Sequence, residues 1–399
     1  MLKKISIDEL QIGMCLVDSG LSFIDYPYLY TGNMVIHSER QIRKLRREGY
    51  LEFFIDTERG FIARRRDHSK KQQDLTADPK SAPEQSAGQR KIPLEAELAV
   101  ARRLYCKALE FSRAAHQAAL ADQAPDLADT LEIVSAFLQS IDRTPLALIG
   151  VSRLHPGEGY ALTHGVNVAI LSLAFGRHLG LGVIDLQALG AAALLHDIGK
   201  TKIPQTVLSK RDRLTPGEFA TVQRHPALGR QLLQECSHLP EQTLNAVLDH
   251  HEKHDGSGYP RGLSGDAIAP YARIISLADV YDALSSKRGY RGSLPPNQAM
   301  SVIYEMRKSA FYPDYAERFI KYMGLYPVGA FVRLSNGAYG VVVDRNVQRP
   351  LAPKVRVVFD QRMRRIMPFT VDLDQEVKNG LSISECLDQQ NLDQTRLLA

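Results

Sequence analysis

Five histidines and two aspartates set the chemistry this chain could do. They are His164, His196, Asp197, His225, His250, His251 and Asp279. Singly each is a weak signal, because a helical histidine is usually a satisfied core or surface group. Their surroundings raise their weight. His196 and Asp197 close "LGAAALLHD", a segment built almost wholly of Ala and Leu. That end is expected to be buried, and polar groups buried there need hydrogen bonds or a metal. Asp279 follows Ile274, Leu277 and Ala278 on the apolar side of "IISLADVYDAL". Imidazole with carboxylate suits Fe, Mn or Zn better than Ca or Mg alone. Bridging two metals is the natural role for Asp197, and such a pair would bind a water and generate a hydroxide for attack on phosphorus. Gly199 is expected to let the chain turn sharply, and Lys200 brings a cation next door.

These residues need helices to bring them together, as in metal sites built inside bundles. Residues 155–326 read as mainly helical. "THGVNVAILSLAFGRHLG" is a helix closed by Gly180, and "DLQALGAAALLHDIGK" is a more apolar one. "TPGEFATVQR" opens with a capping box from Thr215 to Glu218, and "ARIISLADVYDALSSK" is amphipathic. Upstream, "SERQIRKLRREG" reads as a helix capped by Ser38 and stopped at Gly49, followed by the strand "YLEFFID". The polar stretch from Arg64 to Lys91 reads as a flexible linker, its basic start a solvated run. The helical pair from Leu94 reads as a connector. After "GLYPVGAF" the pattern alternates, and "AFVRLSNGAYGVVV" and "KVRVVFD" read as strands with "SNG" as a turn.

The expected architecture is multidomain. Residues 1–62 form a small mixed α/β domain, 63–93 a linker and 94–150 connecting helices. Residues 151–326 form an α-helical core, and 327–399 a β-rich domain. The chain has 399 residues, 44% hydrophobic and 24% charged, with a formal net charge of +5. That charge is mild and shows no concentrated basic stripe, so no nucleic acid polymer is expected as partner. No signal peptide or membrane span is expected. Cys15, Cys106, Cys236 and Cys386 are scattered without a CxxC pair, as reduced thiols of a cytoplasmic protein would be.

"LLHDIGK", His225-Pro226, "HHEKHDGSGYP" (residues 250–260) and "ADVYDAL" together resemble the HD-GYP family of the HD phosphohydrolase superfamily. The His-Asp pair, the HHExxDGxGYP stretch and the later Asp all stand, in order. The flanks resemble, more loosely, domains that accompany HD-GYP in some bacterial proteins. The resemblance implies a phosphodiesterase that opens cyclic di-GMP to linear pGpG, with onward cleavage to GMP left open. It implies two divalent metals, Fe or Mn, held by the seven residues named above. Lys200 matches a lysine near the attacked phosphate, and Asp197 shares its catalytic role. Gly258 and Tyr259 lie in the GYP loop that contacts the dinucleotide, while Arg288 and Arg291 match a segment holding phosphate charge. Glu252 and Asp255 are expected to orient the histidines, and His254 to be exposed. Two departures stand out. Tyr160 replaces a glutamate that supports a third metal in some members, which favours two metals and linear product. Gly289 replaces a frequent proline. Two other readings stay open. One is a sensor or scaffold that binds the nucleotide or a diguanylate cyclase, with the flanking domains giving support or homodimerisation. The other is a hydrolase of another cyclic dinucleotide.

Overall fold

The computed structural model describes residues 2–21, 26, 29–60, 94–123, 125–154, 160–210, 212–236, 239–286, 294–346, 348–376 and 379–387. The expected linker, Arg288, Gly289 and Arg291 lie outside the described residues. So does the side chain of Tyr160.

The N-terminal unit is a four-stranded antiparallel sheet in the order β1-β4-β2-β3. Its strands are β1 (Leu2–Ser6), β2 (Met14–Leu16), β3 (Met34–Val35) and β4 (Glu52–Gly60). Helix α1 (Glu39–Arg47) buries Ile42 and Leu45 with Ile5, Leu16 and Phe53 of the sheet. The Gln41 side chain accepts from the Ser38 backbone N–H at 3.1 Å, as a capping box requires.

The central body is helical. It comprises α2 (Leu94–Leu120), α3 (Thr130–Arg143), α4 (Pro145–Leu154), α5 (Tyr160–His178) and α6 (Val183–Leu195). There follow α7 (Gln205–Leu208), α8 (Pro216–Val222), α9 (His225–Cys236) and α10 (Glu241–Asp249). Last come α11 (Pro270–Ser285), α12 (Pro296–Met306) and α13 (Pro313–Met323). From Ala188 to Leu195 helix α6 carries no polar side chain and is buried throughout, as an all-apolar stretch must be. It runs through the core, and at Gly190 a Cβ would sit only 2.6 Å from Val134 Cγ1 of α3. Among the described residues no helix is long and apolar enough to cross a membrane.

The helical pair α2 and α3 does more than connect. Ala101, Tyr105 and Ala108 of α2 and Val134 and Phe137 of α3 are fully buried in the main core. Glu97, 1% exposed, holds the two helices together. Its carboxylate accepts from Ser140 Oγ at 2.7 Å and from the Arg143 guanidinium through two bonds of 2.8 Å. Leu21, Tyr26 and Leu29 of the N-terminal unit are buried in this same core.

The C-terminal unit is a five-stranded antiparallel sheet, β8-β7-β6-β5-β9. Its strands are β5 (Phe331–Leu334), β6 (Tyr339–Asp344), β7 (Lys354–Phe359), β8 (Arg365–Asp372) and β9 (Ile383–Leu387), with α14 (Leu373–Glu376) before β9. Gly337 takes φ +86° in the expected β5–β6 turn. Strands β8 and β9 carried no clear alternating signal. Both are edge strands, and in β8 Met367 and Phe369 are exposed, which blurs the apolar-in, polar-out pattern.

Replacing Glu97 with Ala strands the Arg143 guanidinium and the Ser140 hydroxyl. Urea unfolding of Glu97→Ala should show a loss of about 2–4 kcal/mol; a change within ~0.5 kcal/mol would show that α2 is held by its apolar face alone.

Candidate metal centre

The seven residues come together from separate helices. His164 lies on α5, and His196 and Asp197 follow the last turn of α6. His225 opens α9, His250 caps α10 with His251 next, and Asp279 lies on α11. His164, His196, His225 and His250 are each at most 2% exposed.

Helix ends aim three of the imidazoles. His196 Nδ1 lies 2.8 Å from the Ala193 carbonyl, His225 Nδ1 2.8 Å from Val222, and His250 Nδ1 2.7 Å from Val247. Each Nδ1–H therefore donates to a carbonyl three residues back, and each Nε2 presents a lone pair inward. His225 Nε2 and His250 Nε2 face each other at 3.3 Å. Two lone pairs at that distance repel unless a cation lies against them. His196 Nε2, His251 Nε2 and Asp197 Oδ1 are buried with no hydrogen-bond partner. Such orphaned acceptors fit a metal better than an empty polar core.

Two donor groups share Asp197. One is Asp197, His225, His250 and His251; the other is His164, His196 and Asp197, with donor atoms within 4.8 Å in each. Asp197 Oδ1 faces His225 at 3.3 Å and His250 at 3.8 Å. Its Oδ2 faces His196 at 3.6 Å and His164 at 3.8 Å. One carboxylate oxygen thus serves each group, the arrangement a bridging ligand needs. Asp279 stands between them, with Oδ1 3.0 Å from His164 Nε2 and Oδ2 4.0 Å from His251 Nδ1.

The electrostatics match. Burial, reinforced by neighbouring imidazoles, holds His250 and His251 well below the usual histidine range, and burial also lowers His196. Neutral imidazole is the form that binds metal. His164 is the exception: burial opposes its charge, but Asp279 and Asp282 on its two nitrogens outweigh it and push its pKa up to about 9, so a metal on Nε2 would have to displace a proton. Burial likewise opposes the Asp197 anion, yet Lys200 and the imidazoles hold its carboxyl well below the usual range. Lys200, on the 3₁₀ turn Ile198–Lys202, reaches Asp197 Oδ2 at 2.7 Å.

Several local expectations change. Gly199 makes a close approach rather than a sharp turn: a Cβ there would collide with the His225 carbonyl and lie 2.9 Å from Gly229 Cα. Glu252 and Asp255 do not orient the histidines. The Glu252 carboxylate accepts from the backbone N–H groups of Arg261 (2.6 Å) and Leu263 (2.9 Å), and Asp255 accepts from Ser257 N–H (2.9 Å) and Oγ–H (2.6 Å). They shape the loop. Gly258 packs on its own motif, where a Cβ would stand 2.6 Å from the His251 carbonyl oxygen. His254 is half-buried, edge-on to Tyr312 at 5.3 Å. Asp282 was missed as a site residue; its Oδ2 lies 2.7 Å from His164 Nδ1. Its one signal was its place three residues after Asp279, on the same helix face.

Tyr259 leans over the His251 ring at 4.8 Å. Beside it a cavity of about 20 Å³ is lined by His251, Asp279, Lys253, Leu21 and Tyr26, room for about one water. Leu21 and Tyr26 come from the N-terminal unit, and Lys253 Nζ lies 4.8 Å from the Tyr26 ring centre. The accessory unit thus walls the metal centre.

A helical body with a His-Asp pair and five gathered imidazoles defines an HD domain, and the HD-domain family model matches residues 135–314. A domain of unknown function (DUF3391) matches residues 2–130, and a KOW domain associated with HD domain matches 331–395. Over 399 residues the chain is 32% identical to "Cyclic di-GMP phosphodiesterase PA4108" of Pseudomonas aeruginosa, covering 99% of this chain and 95% of that protein. It is 38% identical over 169 residues to "3'3'-cGAMP-specific phosphodiesterase 3" of Vibrio cholerae, covering 42% of this chain and 36% of that protein. It is 36% identical over 160 residues to a cyclic di-GMP phosphodiesterase of Thermotoga maritima, covering 40% and 43%. The chain belongs to the HD-GYP family.

The close approach at Gly199 is testable. Gly199→Ala should lower stability by about 1–3 kcal/mol and weaken Mn²⁺ uptake by displacing His225. Unchanged uptake, read by elemental analysis, would show that His225 tolerates the shift.

Proposed function

We propose that this chain is a metal-dependent phosphodiesterase that hydrolyses cyclic di-GMP to linear pGpG. The observation that carries the reading is the His225–His250 contact. Their Nε2 lone pairs face each other at 3.3 Å in a buried space, an arrangement that calls for a cation. The full-length likeness to a protein named as a cyclic di-GMP phosphodiesterase supplies the substrate class.

In this reading Asp197, His225, His250 and His251 would hold one divalent ion, and Asp197, His164, His196 and Asp279 would hold a second. Divalent ions held there, iron or manganese by the donor chemistry, would polarise the phosphoryl group and activate water. The chain's own residues do the rest. Lys200, 28% exposed at its side chain and 2.7 Å from Asp197 Oδ2, brings an ammonium to the charge that grows on phosphorus oxygens. Arg288 and Arg291 clamp the phosphates. Tyr259 gives the base an aromatic wall, next to the GYP backbone at Gly258. We place the protein in the cytoplasm, where a second messenger is met. A diguanylate cyclase is a fitting partner, and the flanking units suit a homodimer.

A second reading has a specific observation behind it. The Vibrio cholerae relative matched over the HD region is named as specific for 3'3'-cGAMP. The test is turnover by protein purified without oxygen and supplied with Mn²⁺ or Fe²⁺. Cyclic di-GMP should yield pGpG by chromatography, with kcat/KM at least about tenfold above that for 3'3'-cGAMP, a difference of ~1.4 kcal/mol. The reverse ratio would move the assignment to the second substrate. Nucleotide binding with no product in either metal would make the protein a sensor. Asp197→Ala should abolish both metal loading and turnover. Lys200→Ala should keep its metals and lose about 100-fold or more in kcat; loss of metals instead would make Lys200 a structural counter-ion.

A further inference from the structure

A hydrogen-bonded chain leaves the metal centre through His164. His164 is gripped at both ring nitrogens by carboxylates of α11. Asp279 Oδ1 meets Nε2 at 3.0 Å, and Asp282 Oδ2 meets Nδ1 at 2.7 Å. Asp282 Oδ1 accepts from Asn167 Nδ2 at 2.9 Å and from Ser286 Oγ at 2.8 Å. Asn167 Oδ1 in turn accepts from Tyr105 Oη at 2.8 Å. Asp282 is 4% exposed, Asn167 5% and Tyr105 0%. Burial first, then Asp282, pushes the Tyr105 phenol far above its ordinary pKa, so it stays a donor.

We propose that Asp282, Asn167 and Tyr105 are positioning residues that fix the His164 imidazole for metal, making α2 a working part of the metal centre. This rests on the metal-centre reading above. The physical reason is the geometry of imidazole. A ring that offers Nε2 to a metal must carry its proton on Nδ1, and a carboxylate on Nδ1 locks both tautomer and rotation. The other buried histidines use backbone carbonyls for this, which cannot swing away. His164 lies in the second turn of α5, and its Nδ1 partner is a side chain, Asp282. Asp282 can rotate unless its second oxygen is tied. Asn167, one turn after His164 on the same helix, ties it. The Asn167 amide can flip unless its oxygen is held, and the Tyr105 hydroxyl holds it. Each member removes one freedom from the next.

The chain also crosses a boundary. The HD model begins at residue 135, whereas Tyr105 lies within the stretch matched by the N-terminal domain model, 2–130. A catalytic unit cut at the HD boundary would lose the far end of the relay.

The experiment uses the full-length chain and Mn²⁺, titrated by isothermal calorimetry and by the electron paramagnetic resonance signal of free Mn²⁺. Thermal unfolding without metal serves as the fold control. Wild type should bind two ions per chain. Asp282→Asn keeps the shape but weakens the lock on Nδ1. It should weaken one of the two sites by about 10–100-fold and leave the other within about threefold. Tyr105→Phe should weaken the same site by a smaller factor, about 3–10-fold. The double variant should lose less than the product of the two, because the residues act in series. Wild type that takes up no Mn²⁺ would sink the metal-centre reading and the relay with it. Wild type that binds two ions, beside an Asp282→Asn variant with both affinities unchanged, would overturn the relay alone. A Tyr105→Phe variant that melts earlier yet binds both ions as wild type does would reduce Tyr105 to a packing role and remove α2 from the metal centre.

Discussion

Mutual repulsion among buried lone pairs is the constraint on which the rest of this molecule depends. Imidazole acceptors and two carboxylates share a space largely closed to water, and helix ends hold them there. At the C-terminal end of a helix the last carbonyls lack intrahelical partners. His196 and His250 each sit at such an end and donate Nδ1–H to a carbonyl three residues back. His225 does the same with the end of α8. One side chain therefore caps a helix, fixes its own tautomer and points a lone pair at the centre. The apolar run of α6 serves this arrangement, because it delivers His196 and Asp197 into the core. The close approach at Gly199 brings His225 near them.

The residues of the centre were legible because their chemistry is local. "LLHDIGK" announces a buried polar pair at a helix end, and "HHEKHDGSGYP" concentrates donors in one short stretch. Helix boundaries carried plain signals too. Thr215 and Glu218 exchange both bonds of the capping box, at 3.3 and 2.6 Å. What could not be read is what long-range packing decides. Asp282 contacts Asn167 across 115 positions, and Tyr105 contacts Asn167 across 62. No spacing rule links them. Glu252 looked like a partner for the histidines because it stands beside them, yet one residue's step in the loop turns its carboxylate to the backbone of Arg261 and Leu263. The edge strands of the C-terminal sheet fell below the pattern for a similar reason. An edge strand buries too little to alternate cleanly.

The division into units also reads differently once packing is known. Sequence alternation separates the flanking units from the helical body. The core does not respect that separation at the N-terminal side, where Leu21, Tyr26 and Leu29 pack among the buried residues of the helical body. Helix α2, which reads as a spacer, carries Tyr105 to the interior. The C-terminal sheet keeps a core of its own around Val332, Val342 and Val355.

The wall made by Leu21 and Tyr26 sets an energy scale. Leu21 is 1% and Tyr26 9% exposed, and returning two such side chains to water costs about 3–5 kcal/mol. The cavity they line has room for about one water. That much apolar burial ties the N-terminal unit to the metal centre, so the two gain or lose stability together.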